Sequence, residues 1–228
     1  RMIVHASTKN YNNLFTSLIL NEVLDADTLS AKLKSAGDAT TYTPDDKELQ
    51  DGIENSKLVN LQSNGILYLL ESKIRPANSS VALLGFNQYS LEHLLPKKWR
   101  NNWPPCATED LARQRDSILL TLGNLASITQ KLNASIRDAP WDKKKAGHGS
   151  KPGLDLCASG LCTLHDALRK TDWNEKEIAI RAEWLGTQAL RDALIRKIFS
   201  LFPISMPPRL SRMSLSHIHN NFTPGRIN

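Results

Sequence analysis

Long apolar runs are missing from this 228-residue chain, and no stretch reaches the length a helix needs to cross a bilayer, so a helical membrane protein is not expected. The opening residues Arg1-Met2-Ile3-Val4-His5 carry neither an extended apolar segment nor a small-residue cleavage site, so they do not read as a secretory leader. An initiator methionine is also missing, as expected of a fragment of a longer protein. Cysteine is scarce. Cys106, Cys157 and Cys162 are an odd number for a chain of this size, which argues against a disulfide framework and for buried thiols in a reducing cytoplasm. Without a Cys-x-x-Cys pair, a structural zinc knuckle is not expected. There is no glycine-rich loop to cradle a nucleotide phosphate.

Hydrophobic residues at 40% and charged residues at 23% are what a folded globular protein carries, and the length suits one domain with a full core. The formal net charge of +6 fits a polyanionic partner, because lysines and arginines that neutralise phosphates release counterions. Charge alone is weak support, since a solvated basic face gives the same number.

From Tyr11 to Leu24 the residues Leu14, Phe15, Leu18, Ile19 and Val23 recur at helical spacing and predict one core-facing stripe. Further helices are predicted from about Thr28 to Ser35, after Thr43-Pro44 with threonine as cap and proline at the first helical position, and from Asn64 to Ile74. After the break at Pro76 to Ser80, the chain reads as a strand ending near His93 and then as an irregular basic, aromatic loop from Lys97 to Pro105. Thr108 caps a predicted helix that Gly123 stops. Asn124 to Thr129 alternates loosely as a short strand, followed by a short helix from about Lys131 to Arg137. Two more helices are predicted, near Leu154 to Arg169 and from Trp173 to about Phe202 with Asp172 or Thr171 as cap, before an irregular tail after Pro203.

Glu92 and His93 close one predicted strand, Asn124 opens the next, and Asn133 begins the helix after it, so these elements can meet around one small site. Phosphodiester hydrolysis needs a base to take a proton from water and a cation to offset charge growing on the phosphate. Histidine titrates in the right range for the first task. The Glu92 carboxylate and the Asn133 amide are hard oxygen donors of the type Mg²⁺ takes. A lone Glu-His-Leu-Leu-Pro is more often structural than catalytic. His148 in a glycine-rich loop, His165 in a helix, and His217 with His219 in the tail read as solvated.

Three motifs in order change the weight of that pattern. Tyr89-Ser-Leu-Glu-His93-Leu-Leu-Pro96, then Leu122-Gly-Asn124-Leu-Ala-Ser-Ile-Thr129 with Leu132-Asn133, then Trp141-Asp-Lys-Lys-Lys145 and Trp173-Asn-Glu-Lys-Glu-Ile178 with Arg181 and Leu185, resemble the HNH nuclease domain at the C-terminus of GmrSD-type restriction enzymes. That family also includes phosphorothioation-linked phage-defence nucleases. The resemblance covers roughly residues 60 to 202. HNH domains of CRISPR effector nucleases are similar in carrying an acidic residue directly before the histidine and two asparagines nine residues apart, as Asn124 and Asn133 are. Here the acid is Glu where those effectors have Asp, and the helix residue is Asn where many HNH enzymes have His.

The resemblance implies a mainly α, α+β fold with a small ββα-metal nuclease core. Residues 1–75 form a helical scaffold of the same domain, 76–150 the core, and 151–228 the C-terminal helices and tail. It implies His93 as general base, Glu92 and Asn133 as ligands of Mg²⁺ (or Mn²⁺), and Asn124 as the residue that holds the histidine loop. DNA is the expected substrate, with Lys97, Lys98, Arg100, Lys143, Lys144 and Lys145 as candidate phosphate contacts, and Trp99 or Trp103 stacking on DNA or packing beneath the loop. An N-terminal nucleotide-hydrolysing sensor domain of the full-length protein is the expected partner, and defence of a bacterium against phage the expected setting. An inactive DNA-docking module and an RNA-cleaving toxin are the alternatives.

Overall fold

The computed structural model describes residues 1–21, 25–79 and 82–191. Among these, helices dominate, and the strands form two small antiparallel sheets. None of these helices is long and apolar enough to cross a membrane. The first sheet pairs β1 (Tyr89–His93) with β2 (Leu125–Thr129), aligning His93 with Leu125 and Glu92 with Ala126. The second is a hairpin of β3 (Gly147–His148) and β4 (Lys151–Pro152).

Among the described residues four α-helices precede β1: α1 (Tyr11–Leu20), α2 (Ala26–Ser35), α3 (Asp46–Asn55) and α4 (Asn60–Ile74). α3 starts in a capping box, in which the Asp45 side chain accepts from Glu48 N and the Glu48 side chain accepts from Asp45 N. Thr43 and Pro44 therefore lie outside the helix, and the Thr43 hydroxyl donates to Leu33 O instead (2.8 Å). A pair of carboxylates satisfying reciprocal amides outcompetes a single hydroxyl. In α1 the predicted stripe is not a core stripe: Leu18 is buried, but Phe15 and Ile19 are 42% and 75% exposed, because little else in the described structure packs on that face. Val23 lies outside the described residues.

After β1 come α5 (Glu109–Ile118), capped by Thr108, and, beyond β2, α6 (Gln130–Ile136) and α7 (Trp141–Ala146). Two one-turn helices, α8 (Leu154–Cys157) and α9 (His165–Leu168), stand where one helix was expected, because Ser159-Gly160 interrupts the pattern. α10 (Glu175–Leu190) is capped by Asn174, whose side chain accepts from the backbone N–H groups of Lys176 and Glu177, so the caps expected at Thr171 or Asp172 are displaced. The expected extension to Phe202 and the irregular tail lie outside the described residues.

The sheet of β1 and β2 separates two hydrophobic clusters. On one side Ala126 and Ile128 join Leu94, Leu95, Trp99, Trp141, Leu164 and Trp173. On the other, Leu125 joins Ile53, Leu67, Leu70 and Leu185 from α3, α4 and α10, together with Leu122 from the turn before β2. β2 is thus covered on both faces, which removes the polar half of its alternation. Cysteine departs from expectation, for Cys157 is exposed and Cys106 and Cys162 are only half-buried.

Gly123 does not stop α5, which ends at Ile118. It lies in a 3₁₀ turn, Leu122–Asn124, pressed on α10, where a β-carbon would collide with the Ile178 carbonyl and stand 2.9 Å from the Ala182 methyl. Gly123→Ala is therefore expected to destabilise the domain by about 1–3 kcal/mol through overpacking. Urea denaturation followed by circular dichroism measures this, and an unchanged midpoint would refute the close approach.

Candidate active site

Asn124 is wholly buried at the entrance to β2, 0% exposed, and uses its entire amide. Its Oδ1 accepts from Leu95 N (2.8 Å) and from the Trp173 indole N–H (3.1 Å), while Nδ2 donates to Leu95 O (2.8 Å) and Leu119 O (3.0 Å). Its main-chain oxygen accepts from Leu94 N at 2.9 Å. The chain leaving His93 is therefore gripped at both polar atoms of Leu95 and at the amide of Leu94.

His93 ends β1 half-buried, with Nε2 inaccessible and without a hydrogen-bond partner. Burial, reinforced by the positive charges of Lys97 and Lys144, lowers its pKa to about 4, so the imidazole is neutral at pH 7. Glu92 leaves the strand on the alternate side and is buried too. Its carboxylate accepts from the Lys144 ammonium, which also donates to His93 O at 2.6 Å. Burial pushes the Glu92 carboxyl up and the Lys144 ammonium down from their ordinary values, each against the opposing pull of its partner's charge.

Thr129 caps α6 with its side chain, so the chain turns from β2 into a helix packed on β1. That places the Asn133 Nδ2 on Leu91 O (2.9 Å) and Ser90 Oγ (3.1 Å). Ser90 and Glu92 are two residues apart on β1 and share a face, so Asn133 lies over the face that carries the Glu92 carboxylate. With Nδ2 engaged, the Asn133 amide oxygen is the atom left for a cation, beside whatever lone pairs of Glu92 are not engaged by Lys144. No group of three or more His, Cys, Asp or Glu side chains suited to a metal occurs among the described residues. Carboxylate and amide oxygens are the donor type that Mg²⁺, which keeps most of its water, takes.

The basic residues divide. Lys97 and Lys98 are exposed, whereas Arg100 pairs with Asp116 (2.8 Å) and stacks on Trp99. Lys143 is exposed beside Asp142 (3.6 Å), and Lys145 donates to Lys170 O (3.1 Å). Lys144 is 0% exposed, so the expectation that it contacts DNA is corrected: helical phase turns it inward with Trp141, three residues before it. That spacing was the available signal. Trp99 and Trp103 are both buried, their indole N–H groups donating to Asp116 Oδ1 (2.7 Å) and Ala139 O (3.1 Å), so both pack beneath the loop. His148 is exposed in β3, His165 is exposed on α9, and His217 and His219 lie outside the described residues.

One supporting residue was not singled out for a role by its sequence. The buried Arg181 guanidinium donates through Nη1 to Gly123 O (2.7 Å), Leu125 O (2.8 Å) and Leu122 O (3.2 Å), and through Nε to Thr163 O (3.0 Å). It holds from beneath the turn that presents Asn124.

Two antiparallel strands, a helix laid on them and polar residues gathered at the end of one strand define an α+β domain with a built polar site. Residues 43–188 match the C-terminal domain of GmrSD restriction endonucleases, and the chain belongs to that family of restriction endonuclease-related nuclease domains. Comparison with curated proteins and with solved structures returns no match.

The burial of His93 sets a sign for pH. An unfolded imidazole takes up its proton near the ordinary value of 6.5, the folded one only near 4, so acid favours the unfolded chain within that window. The contribution is complete above 6.5 and is lost as pH falls through 4. Titration of the His93 ring by NMR in the metal-free protein is expected to show a midpoint near 4. A midpoint at 6.5 would contradict the burial described.

Proposed function

We propose that this domain is a metal-dependent HNH endonuclease that nicks or cleaves DNA, with His93 activating water. The observation that carries the reading is the neutral imidazole at a strand end clamped by Asn124 in a chain of this nuclease family. Neutral at pH 7, His93 can accept a proton from a water set against a phosphate. Approaching phosphate charge offsets the fields of Lys97 and Lys144 and raises the ring's proton affinity toward the range a general base needs. Glu92 and the Asn133 amide oxygen would hold Mg²⁺ or Mn²⁺, which supplies neutralisation of charge on the phosphate and leaving oxygen. The expected products are a 5′ phosphate and a 3′ hydroxyl.

In this reading the domain acts in the bacterial cytoplasm against phage DNA, under control of an N-terminal nucleotide-hydrolysing sensor domain of the full-length protein. Family membership and the residue pattern support it. Recognition of modified DNA would reside in the sensor domain.

Incubating the protein with supercoiled plasmid and Mg²⁺ or Mn²⁺ tests the reading. His93→Ala is expected to slow nicking by roughly 10²- to 10⁴-fold, the usual cost of losing a general base. Equal rates would sink the mechanism, preferential cutting of RNA would redirect it to a toxin, and DNA binding without cutting under either ion would leave a docking module.

Phosphate contacts fall to the exposed lysines. Lys97→Ala with Lys98→Ala is expected to reduce the slope of log affinity against log salt by about 0.9 per contact removed. Titrations of a fluorescent duplex at several salt concentrations measure it, and an unchanged slope would place the DNA elsewhere.

A further inference from the structure

We propose that Lys144 is a positioning residue of the hydrolytic site, its buried ammonium binding the Glu92 carboxylate and the His93 main chain together so that both are presented in one fixed geometry. The proposal rests on the nuclease reading above and adds a residue to its machinery.

The peptide joining His93 to Leu94 is held at both edges. Its carbonyl accepts from Lys144 Nζ at 2.6 Å, and its N–H donates to Asn124 O at 2.9 Å. Pinning both edges fixes the peptide plane and with it the backbone from which the imidazole departs. The same ammonium takes one oxygen of Glu92, which leaves the carboxylate to offer its remaining lone pairs in one orientation. One side chain thus sets the proton acceptor and the acidic residue beside it.

A buried ion pair is a poor way to gain stability, because desolvation of both ions commonly exceeds their attraction, and an apolar pair of similar volume often does as well or better. Lys144 lies on the face of α7 that also buries Trp141, where an aliphatic side chain would pack without that cost. Retaining the charge there makes sense if the carboxylate it orients is used. At 0% exposure the ammonium cannot reach a phosphate in solution.

The test compares the wild-type chain with Lys144→Met and with the double variant Glu92→Gln/Lys144→Met, which removes both charges and relieves the uncompensated carboxylate if the single variant folds poorly. Circular dichroism reports folding. Plasmid nicking separates kcat from KM, and Mn²⁺ titration with the His93 ring NMR shift reads the site without turnover. Lys144→Met is expected to lower kcat and Mn²⁺ affinity by about 10- to 100-fold, as losses of groups that orient metal ligands do, with KM for DNA unchanged and the His93 shift moved. The double variant is expected to fold and to remain as slow. Wild-type turnover in the double variant would make the pair purely structural, and a raised KM with unchanged kcat would make Lys144 a substrate contact; either overturns the proposal. Should the wild type cut nothing, the nuclease reading fails by itself, and unchanged Mn²⁺ affinity and His93 shift in Lys144→Met would then overturn this one.

Discussion

The amide of Asn124 is the interaction on which the site depends. An asparagine side chain offers two donors and one oxygen with two lone pairs, and here all are used, on Leu95, Leu119 and Trp173. A buried amide that lost these partners would forfeit its solvation without compensation, so no second rotamer competes. One side chain thereby joins the residues after His93, the exit of α5 and the approach to α10. The histidine has no direct bond from Asn124. It is placed because the chain immediately beyond it has nowhere else to go.

Beneath that turn a second buried polar system carries the load into the rest of the domain. Burial lowers the Arg181 pKa to about 10, which still leaves the guanidinium charged at neutral pH. Its Nε and Nη1 donors end on the carbonyls of Leu122, Gly123, Leu125 and Thr163, while the buried Nη2 has no partner among the described residues. The compensating charge is Glu71, reached through Thr163, whose N–H donates to the Glu71 carboxylate at 2.8 Å while its carbonyl accepts from Arg181. The cation and anion thus polarise opposite ends of one residue. This ties α4 and α10 to the Asn124 turn without a solvent-exposed ion pair, whose contribution salt would screen.

Much of the fold was legible because its signals are local. β1, the Thr108 cap and most helix positions follow from period and punctuation, while β2 blurred because neighbours cover both its faces. What failed depended on partners distant in sequence. The stripe on α1 reads as core until one knows what packs on it, and Gly123 reads as a stop until α10 is placed against it. At the site, Glu92, His93, Asn124 and Asn133 were visible from order and spacing. Lys144 was not, since three consecutive lysines are equivalent in composition, and only their phase relative to Trp141 tells which one turns inward. Arg100 pairs with Asp116, sixteen residues away, a partner that its place in a basic loop does not announce.

The reach of these networks explains why so small a site needs so much chain. Glu92 is held from α7, Asn124 from Trp173, and the Asn124 turn from Arg181 on α10, which in turn packs on α3. Truncating the domain after α6 would keep both strands, the helix and every residue proposed for chemistry, yet would strip the donors that fix them. The family match has the same span: residues 43–188 start just before α3 and end within the last turn of α10, leaving α1 and α2 outside. The helices that supply or brace the polar network lie inside the match, and α1, with Phe15 and Ile19 exposed, lies outside it. The matched span therefore encloses the whole buried polar network together with the two strands and the helix.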